Sequence, residues 1–267
     1  MVEIFQNIRA AYDFMPPCEE LVPYVDFFAQ SASVPLESLP PLVSGKMFAS
    51  WTPTCYINLG SSYLIDLADC QHQVQHGQDV LLLRNTTVVR HKSTGDSVFT
   101  LKFYPGGLEA VLGFSQVPLV GRLVSLAQVL PATLLAELRQ PLSFAERVGR
   151  LQQYLLHVYR RAPRRDHYVT LVHDAIGEYH ASGLVLSTSA VAERVFLTSK
   201  TINRYFHRVV GTSPTQYFSL LRARTALTAF VARPATFAAT DYGYYDSSHF
   251  AKAVRRFTGQ RLPGANR

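Results

Sequence analysis

Two stretches near the end of the chain carry the same kinds of side chain at the same spacing. Ser199-Lys-Thr-Ile-Asn-Arg-Tyr-Phe-His-Arg-Val-Val runs to Gly211, and Ser247-Ser-His-Phe-Ala-Lys-Ala-Val-Arg-Arg-Phe-Thr, starting 48 positions later, runs to Gly259. Wound as helices, the first gathers Ile202, Phe206 and Val209 or Val210 on one face, and the second gathers Phe250, Val254 and Phe257. Lys200, Thr201, Asn203, Arg204 and His207 stand away from the first apolar face. Ser247, Ser248, His249, Lys252 and Arg255 or Arg256 do the same on the second. These groups suit hydrogen bonding and charge neutralisation. Lysine and arginine displace counterions from phosphates, which sets grip and not sequence. Arg204 can pair bidentately with a guanine edge and Asn203 with an adenine, while His249 and Lys252 reach a base or only a phosphate. Each residue taken singly is equally well an exposed side chain on a packed helix; the duplication argues for more.

Both edges need something to hold them out. Leu186-Ser-Thr-Ser-Ala-Val-Ala-Glu-Arg-Val predicts a two-turn helix with a hydroxyl cap, interrupted at Phe196-Leu-Thr before the first stretch. Phe237-Ala-Ala-Thr-Asp-Tyr predicts a short helix, and Gly243-Tyr-Tyr-Asp a turn before the second. A short helix, a turn and a second helix with a polar N-terminal edge form the geometry that inserts such an edge into a DNA major groove. Between the two units, Pro214 to Phe230 reads as one long helix, with Tyr217, Leu220, Leu221, Ala223, Leu227 and Phe230 apolar and Arg222 and Arg224 charged. Such a rod would fix the separation of the two edges at about 34 Å, one turn of DNA.

Charge follows the same division. The chain of 267 residues has 26 Lys+Arg and 19 Asp+Glu; Ser199 to Arg267 holds 11 and 2 of these, a local excess of +9. The remainder has 26 − 11 = 15 bases and 19 − 2 = 17 acids, or −2. A polyanion such as double-stranded DNA accounts for this asymmetry, with a solvated basic face as the plainer alternative.

Ahead of these helices, β-branched and aromatic runs such as Cys55-Tyr-Ile-Asn-Leu, Tyr63-Leu-Ile-Asp-Leu, Val80-Leu-Leu-Leu and Val98-Phe-Thr-Leu-Lys-Phe-Tyr alternate with turn formers. They predict a sandwich or small barrel. After Pro105-Gly-Gly, Leu119, Leu123, Leu126 and Leu130 predict a helix broken by Pro131. Phe144, Val148, Leu151, Leu155 and Val158 predict another, whose stripe packs on the core or forms a dimer seam. Arg160-Arg-Ala-Pro-Arg-Arg-Asp reads as a linker, and Tyr168 to Tyr179 as a helix ended by Gly183.

Ser199 to Gly211, Pro214, the arginine-bearing helix, and Gly243-Tyr-Tyr-Asp-Ser-Ser-His-Phe with Phe257-Thr-Gly resemble the paired helix-turn-helix domain of AraC/XylS-type transcription regulators, over about Gly183 to Gly259. Lys102-Phe-Tyr-Pro-Gly-Gly-Leu-Glu adds a less specific likeness in the front half. The resemblance implies an α+β protein: a β-rich regulatory or dimerisation domain over residues 1–165, with helices at its C-terminal end, then an all-α DNA-binding domain over 166–267. It implies that Lys200, Asn203 and Arg204 face bases or backbone on the first recognition helix, and Ser248, His249 and Lys252 on the second. It further implies a bacterial, cytoplasmic regulator without a cofactor, with a small-molecule effector, a second copy of the chain and RNA polymerase as candidate partners. Phe196 and Thr198 depart from the small residue or glycine, followed by serine, that is usual in the first turn, and Arg261-Leu-Pro-Gly-Ala-Asn-Arg departs from the usual ending.

Trp51, Tyr56, Tyr63, Arg84, His91 and Lys102 are the candidate effector-pocket residues, with plain core the alternative for each. A rival reading is a metal-dependent enzyme on the β-rich half using His72, His76 and His91, and a second rival is an architectural DNA-binder. Against the enzyme, Cys18, Cys55 and Cys70 lack metal-ligand pairing, and no Gly-x-Ser-x-Gly or phosphate-binding glycine loop is present. No apolar run approaches the ~20 residues of a membrane helix, and the first residues lack a secretory pattern.

Overall fold

The computed structural model describes residues 2–3, 6–7, 12–31, 43–68, 70–92, 95–161 and 167–262. Eleven of the strands come first: β1 (Val2–Glu3), β2 (Gln6–Asn7), β3 (Tyr12–Met15), β4 (Val25–Ser31), β5 (Val43–Met47), β6 (Pro53–Asn58), β7 (Tyr63–Leu67), β8 (Cys70–Val74), β9 (Val80–Leu83), β10 (Val88–Lys92) and β11 (Val98–Phe103). Helix α1 (Gly107–Leu112) precedes β12 (Leu123–Ser125), and α2 (Ala132–Leu138) and α3 (Phe144–Arg161) close the front half. Then follow α4 (His167–Ala181), α5 (Thr188–Arg194), α6 (Ser199–Val209), α7 (Pro214–Ala232) and α8 (Ser247–Thr258). The linker predicted over Arg160 to Asp166 lies largely outside the described residues, and so does the chain after Leu262.

Two antiparallel sheets carry the front half: six strands in the order β12-β9-β6-β11-β4-β3 and four in the order β5-β10-β7-β8. They face each other across a core of Tyr56, Val80, Leu82 and Val98 from the larger sheet and Tyr63, Ile65, Leu67, Val74 and Val88 from the smaller. The other face of the larger sheet is covered too: Cys55, Ile57, Leu81, Phe99 and Leu101 pack with Leu108 and Val111 of α1 and with Val148, Leu151 and Leu155 of α3. Both faces being covered, β6 and β11 are buried at every position, whereas β7 alternates. The α3 stripe is thus spent on the chain's own core.

The helix expected over Leu119 to Leu130 does not form. Val117–Leu119 and Leu126–Gln128 are single 3-10 turns, and Leu123–Ser125 is a strand on β9. Pro118 at the first of these turns and Gly121 at φ 69° break the helical run, and the exposed edge of β9 offers the backbone a better set of partners. The core around α3 also continues into the back half, taking in Val169, Val172 and Ala175 of α4 and Ile202, Phe206 and Val209 of α6. A second cluster joins Phe48 of the front half to Leu227, Tyr244, Phe250 and Val254. Among the described residues no helix is long and apolar enough to cross a membrane.

Candidate nucleic-acid interface

Each of the two polar edges begins at a capped helix. Ser187 caps α5, its side chain accepting from the Ala190 N–H. Thr198 caps α6 by accepting from Thr201 N–H at 3.1 Å. Asp246 caps α8 by accepting from His249 N–H at 2.7 Å. The α8 cap is one residue earlier than the small polar run suggests, and Asp ahead of Ser-Ser and an apolar periodicity is the signal for it. Neither α6 nor α8 has an acidic residue in its first turn; the positive end of α6 carries only the Thr198 hydroxyl, whereas that of α8 is met by the Asp246 carboxylate.

The first unit is α5, a turn and α6. Its turn centres on Phe196, which adopts φ 56°, a left-handed conformation rare for a side chain with a Cβ, and is 96% exposed. The second unit is less regular. Its leading element is reduced to 3-10 turns over Pro234–Thr236 and Ala239–Tyr242, in place of the short α-helix expected from Phe237 to Tyr242, and Gly243 at φ 71° turns the chain towards α8. Pro234 and the weakly helical Thr-Phe and Thr-Asp pairs give the backbone little reason to close a full α-turn.

Lys200, Asn203, Arg204 and His207 are exposed on α6, and Ser247, Ser248, His249, Lys252 and Arg256 on α8. Ile202, Phe206 and Val209, like Phe250 and Val254, are buried beneath them. Phe257 is only partly buried, and Thr258 completes that inner face. Thr201 differs from its neighbours: its hydroxyl lies 2.9 Å from that of Thr198, so it belongs to the cap. His249 accepts from the Tyr245 N–H through Nδ1 at 3.3 Å, which leaves Nε2 as the protonated ring nitrogen, a donor on the outer edge. Arg204 lies over the Tyr205 ring, 5.3 Å from its centroid, and Arg256 over that of Phe257 at 5.9 Å, each a cation against its aromatic neighbour.

The candidate effector residues fall in separate places. Tyr56 and Tyr63 are in the core between the sheets, Tyr63 capped by the guanidinium of buried Arg90 at 4.2 Å. Arg90 in turn pairs with Asp96 and donates to the Tyr12 hydroxyl. His91, the next residue of β10, points to the opposite face because strand side chains alternate. It meets Asp66 at 2.6 Å and Ser44 at 2.9 Å, and its hydrogen bond holds the Asp66 carboxyl below the usual range. Trp51 and Arg84 lie elsewhere, joined through backbone: Ser50 and Trp51 N–H both donate to the Arg84 carbonyl. Lys102, buried, pairs with Asp26 at 2.8 Å; burial pushes its ammonium below the usual lysine range, Asp26 opposes this, and the charges of Arg224 and Arg84 add to it. Arg84 and Lys102 of the front half and Arg224 of α7 therefore share one charged neighbourhood, to which His91 does not belong.

Of the histidines in the metal reading, His76 meets the Gly60 carbonyl through Nδ1 and His91 is held as above. Among the described residues no group of three or more His, Cys, Asp or Glu side chains could hold a metal ion. The three cysteines are free thiols.

Comparison with known proteins places the back half. Residues 191–264 match the family model of a helix-turn-helix domain. No curated protein matches the chain. Among solved structures the chain is similar to ToxT from Vibrio cholerae, at 9% identity and a TM-score of 0.48 over 82% of this chain and 95% of that one. It is also similar to ToxT with an unsaturated fatty acid bound, at 10% identity and 0.46 over 82% and 92%. The AraC-like transcriptional activator CuxR aligns at 12% identity and 0.31 over 86% and 90%. Likeness of that degree carries no functional conclusion. The matched residues 191–264 contain most of α5, all of α6 to α8 and the turns between them, so the likeness to a helix-turn-helix domain covers both units.

Proposed function

We propose that the protein is a sequence-specific transcription regulator that reads two adjacent major-groove segments of one duplex, with α6 in the first and α8 in the second. The observation that carries this reading is the repeated edge: two capped helices, each burying an apolar stripe and exposing Ser, His, Lys and Arg at its outer side, with Asn203 added on α6. Lys200, Asn203, Arg204 and His207 serve the first segment, and Ser247, Ser248, His249, Lys252 and Arg256 the second. Lysines and the outer arginines hold phosphates, and Arg204 and Asn203 discriminate bases. Thr201 contributes by fixing the start of α6.

In this reading residues 166–267 bind DNA and residues 1–165 regulate. Control by a small molecule is proposed for the junction where Arg84 and Lys102, with Trp51 beside Arg84, approach Arg224 of α7, not for the space between the sheets, which Tyr56 and Tyr63 already fill. Sequencing the duplexes retained by the full chain from a random pool tests the function. Two enriched half-sites about one DNA turn apart are expected. Retention without enrichment would leave an architectural DNA-binder in its place.

A further inference from the structure

Both recognition helices are held at their C-terminal ends by one small region of the front half. Two segments make this platform, residues 48–51 and 84–87, tied together by the two N–H donors of Ser50 and Trp51 on the Arg84 carbonyl. Trp51 within it adopts φ 53°, a left-handed conformation that the surrounding packing must enforce on a buried aromatic residue.

The hold on α6 runs through Gln116, whose side chain is fully buried. Its Oε1 accepts from the Gly106 N–H at 2.7 Å, and its Nε2 donates both to the Trp51 carbonyl at 3.1 Å and to the Val210 carbonyl at 2.9 Å. Val210 is the C-cap of α6, where the last carbonyls lack partners inside the helix. Fit leaves no slack there, since a Cβ on Gly211 would stand 3.0 Å from Val120 and 3.8 Å from the Trp51 ring. Outside, Arg208 of α6 forms a two-bond pair with Glu109 of α1 at 2.6 and 3.0 Å.

The hold on α8 runs through Thr87 and Phe48. Thr87 Oγ1 donates to the Phe257 carbonyl at 3.1 Å, and Phe48 is buried in the cluster that contains Phe250 and Val254. Arg224 of α7 reaches the same platform, donating to the Ala49 carbonyl at 3.0 Å with its guanidinium over Phe48.

We infer that the spacing at which α6 and α8 read a duplex is set by this platform of the front half, through Gln116 at one helix and Thr87 at the other, and not by α7 alone. The inference rests on the DNA-reading function proposed above. Gln116 and Thr87 are positioning residues: they touch no DNA and act by fixing where two helix ends stand. Because each is gripped at its C-terminal end, the N-terminal edges remain free to enter the grooves while their separation is imposed from behind.

The test uses the full chain and duplexes carrying the two enriched half-sites with one base pair added to or removed from the gap. For the unaltered protein, each change is expected to cost about tenfold or more in affinity, because one base pair rotates and shifts a half-site together. Gln116→Leu, Thr87→Val and the double variant are expected to bind the best spacing more weakly and to reduce that penalty to about threefold or less. Glu109→Gln, a surface change that breaks the Arg208 pair without touching the core, is expected to relax spacing in the same direction and keeps the test decisive where Gln116→Leu lowers solubility. Penalties equal to those of the unaltered protein, with affinity unchanged or uniformly lower, would overturn the inference and return the spacing to α7. An unaltered protein with no spacing preference at all would instead overturn the reading of paired half-sites.

Discussion

Arg222 of α7 lies 5.2 Å over the ring of Tyr244 and donates through Nη1 to the carbonyl of Gly243, so the long helix holds the second turn directly. Tyr244 is buried, and burial pushes its phenol up from the ordinary 10 to about 12. The folded protein therefore keeps this proton to higher pH than the unfolded chain does. The stabilisation it contributes is complete below pH 10 and is lost as pH rises through about 12. Tyr244→Phe is expected to stay within about 1 kcal/mol of the unaltered protein at pH 8 and to lose less stability between pH 10 and 12. Urea titrations at pH 8 and pH 11 check both; a variant that loses as much as the original at high pH would remove Tyr244 from the alkaline transition.

Replacing Arg204 by Ala is expected to relax base preference at one position of the first half-site, by about 1–3 kcal/mol, and to leave the second half-site as it was. Lys252→Ala is expected to weaken all duplexes alike and to lower the salt dependence by about one phosphate contact. Enrichment profiles from the same random pool, taken at two salt concentrations, separate the two effects.

Asp246 caps α8, yet it puts a carboxylate on the edge that meets phosphates. Asn caps about as well as Asp. Asp246→Asn is therefore expected to keep the melting temperature and raise affinity for any duplex a few-fold, whereas Asp246→Ala costs about 1 kcal/mol of stability. If Asn weakens binding, the carboxylate has a partner on the DNA, such as a cytosine amino group.

Phe196 combines a left-handed backbone with an exposed ring. Glycine takes that conformation without the Cβ clash, so Phe196→Gly is expected to stabilise the protein by about 0.5–1 kcal/mol, read as a higher urea midpoint at constant slope. A loss of stability would show that the ring packs in solution.

Where the chemistry is local, the sequence was readable. The stripes of α6, α8 and α3 repeat at helical spacing and are buried along their centres, with Phe257, Phe144 and Val158 partly buried at the ends, and the strands around Cys55, Tyr63, Val80 and Val98 lie where the apolar runs lie. Leucines 119 to 130 misled because leucine at four, three and four fits a helix by count alone, while a free sheet edge and two chain-breaking residues took the segment another way. Trp51, Tyr56, Tyr63 and His91 read alike as aromatic residues near strands. Only the alternation within β10 and the pairing of the sheets separates an inner from an outer position.

Gln116 shows the limit most plainly. Nothing next to it in the chain marks it, since its partners are 10, 65 and 94 positions away. By itself the sequence determined which residues form two basic, donor-bearing helix edges, because amphipathic spacing, caps and charge are written in consecutive residues. Tertiary structure alone decided what stands behind those edges: the platform of 48–51 and 84–87, the amide at Val210 and the hydroxyl at Phe257 meet only when distant segments pack. Burial of a polar side chain demands partners, and folding, not proximity in the chain, supplies them.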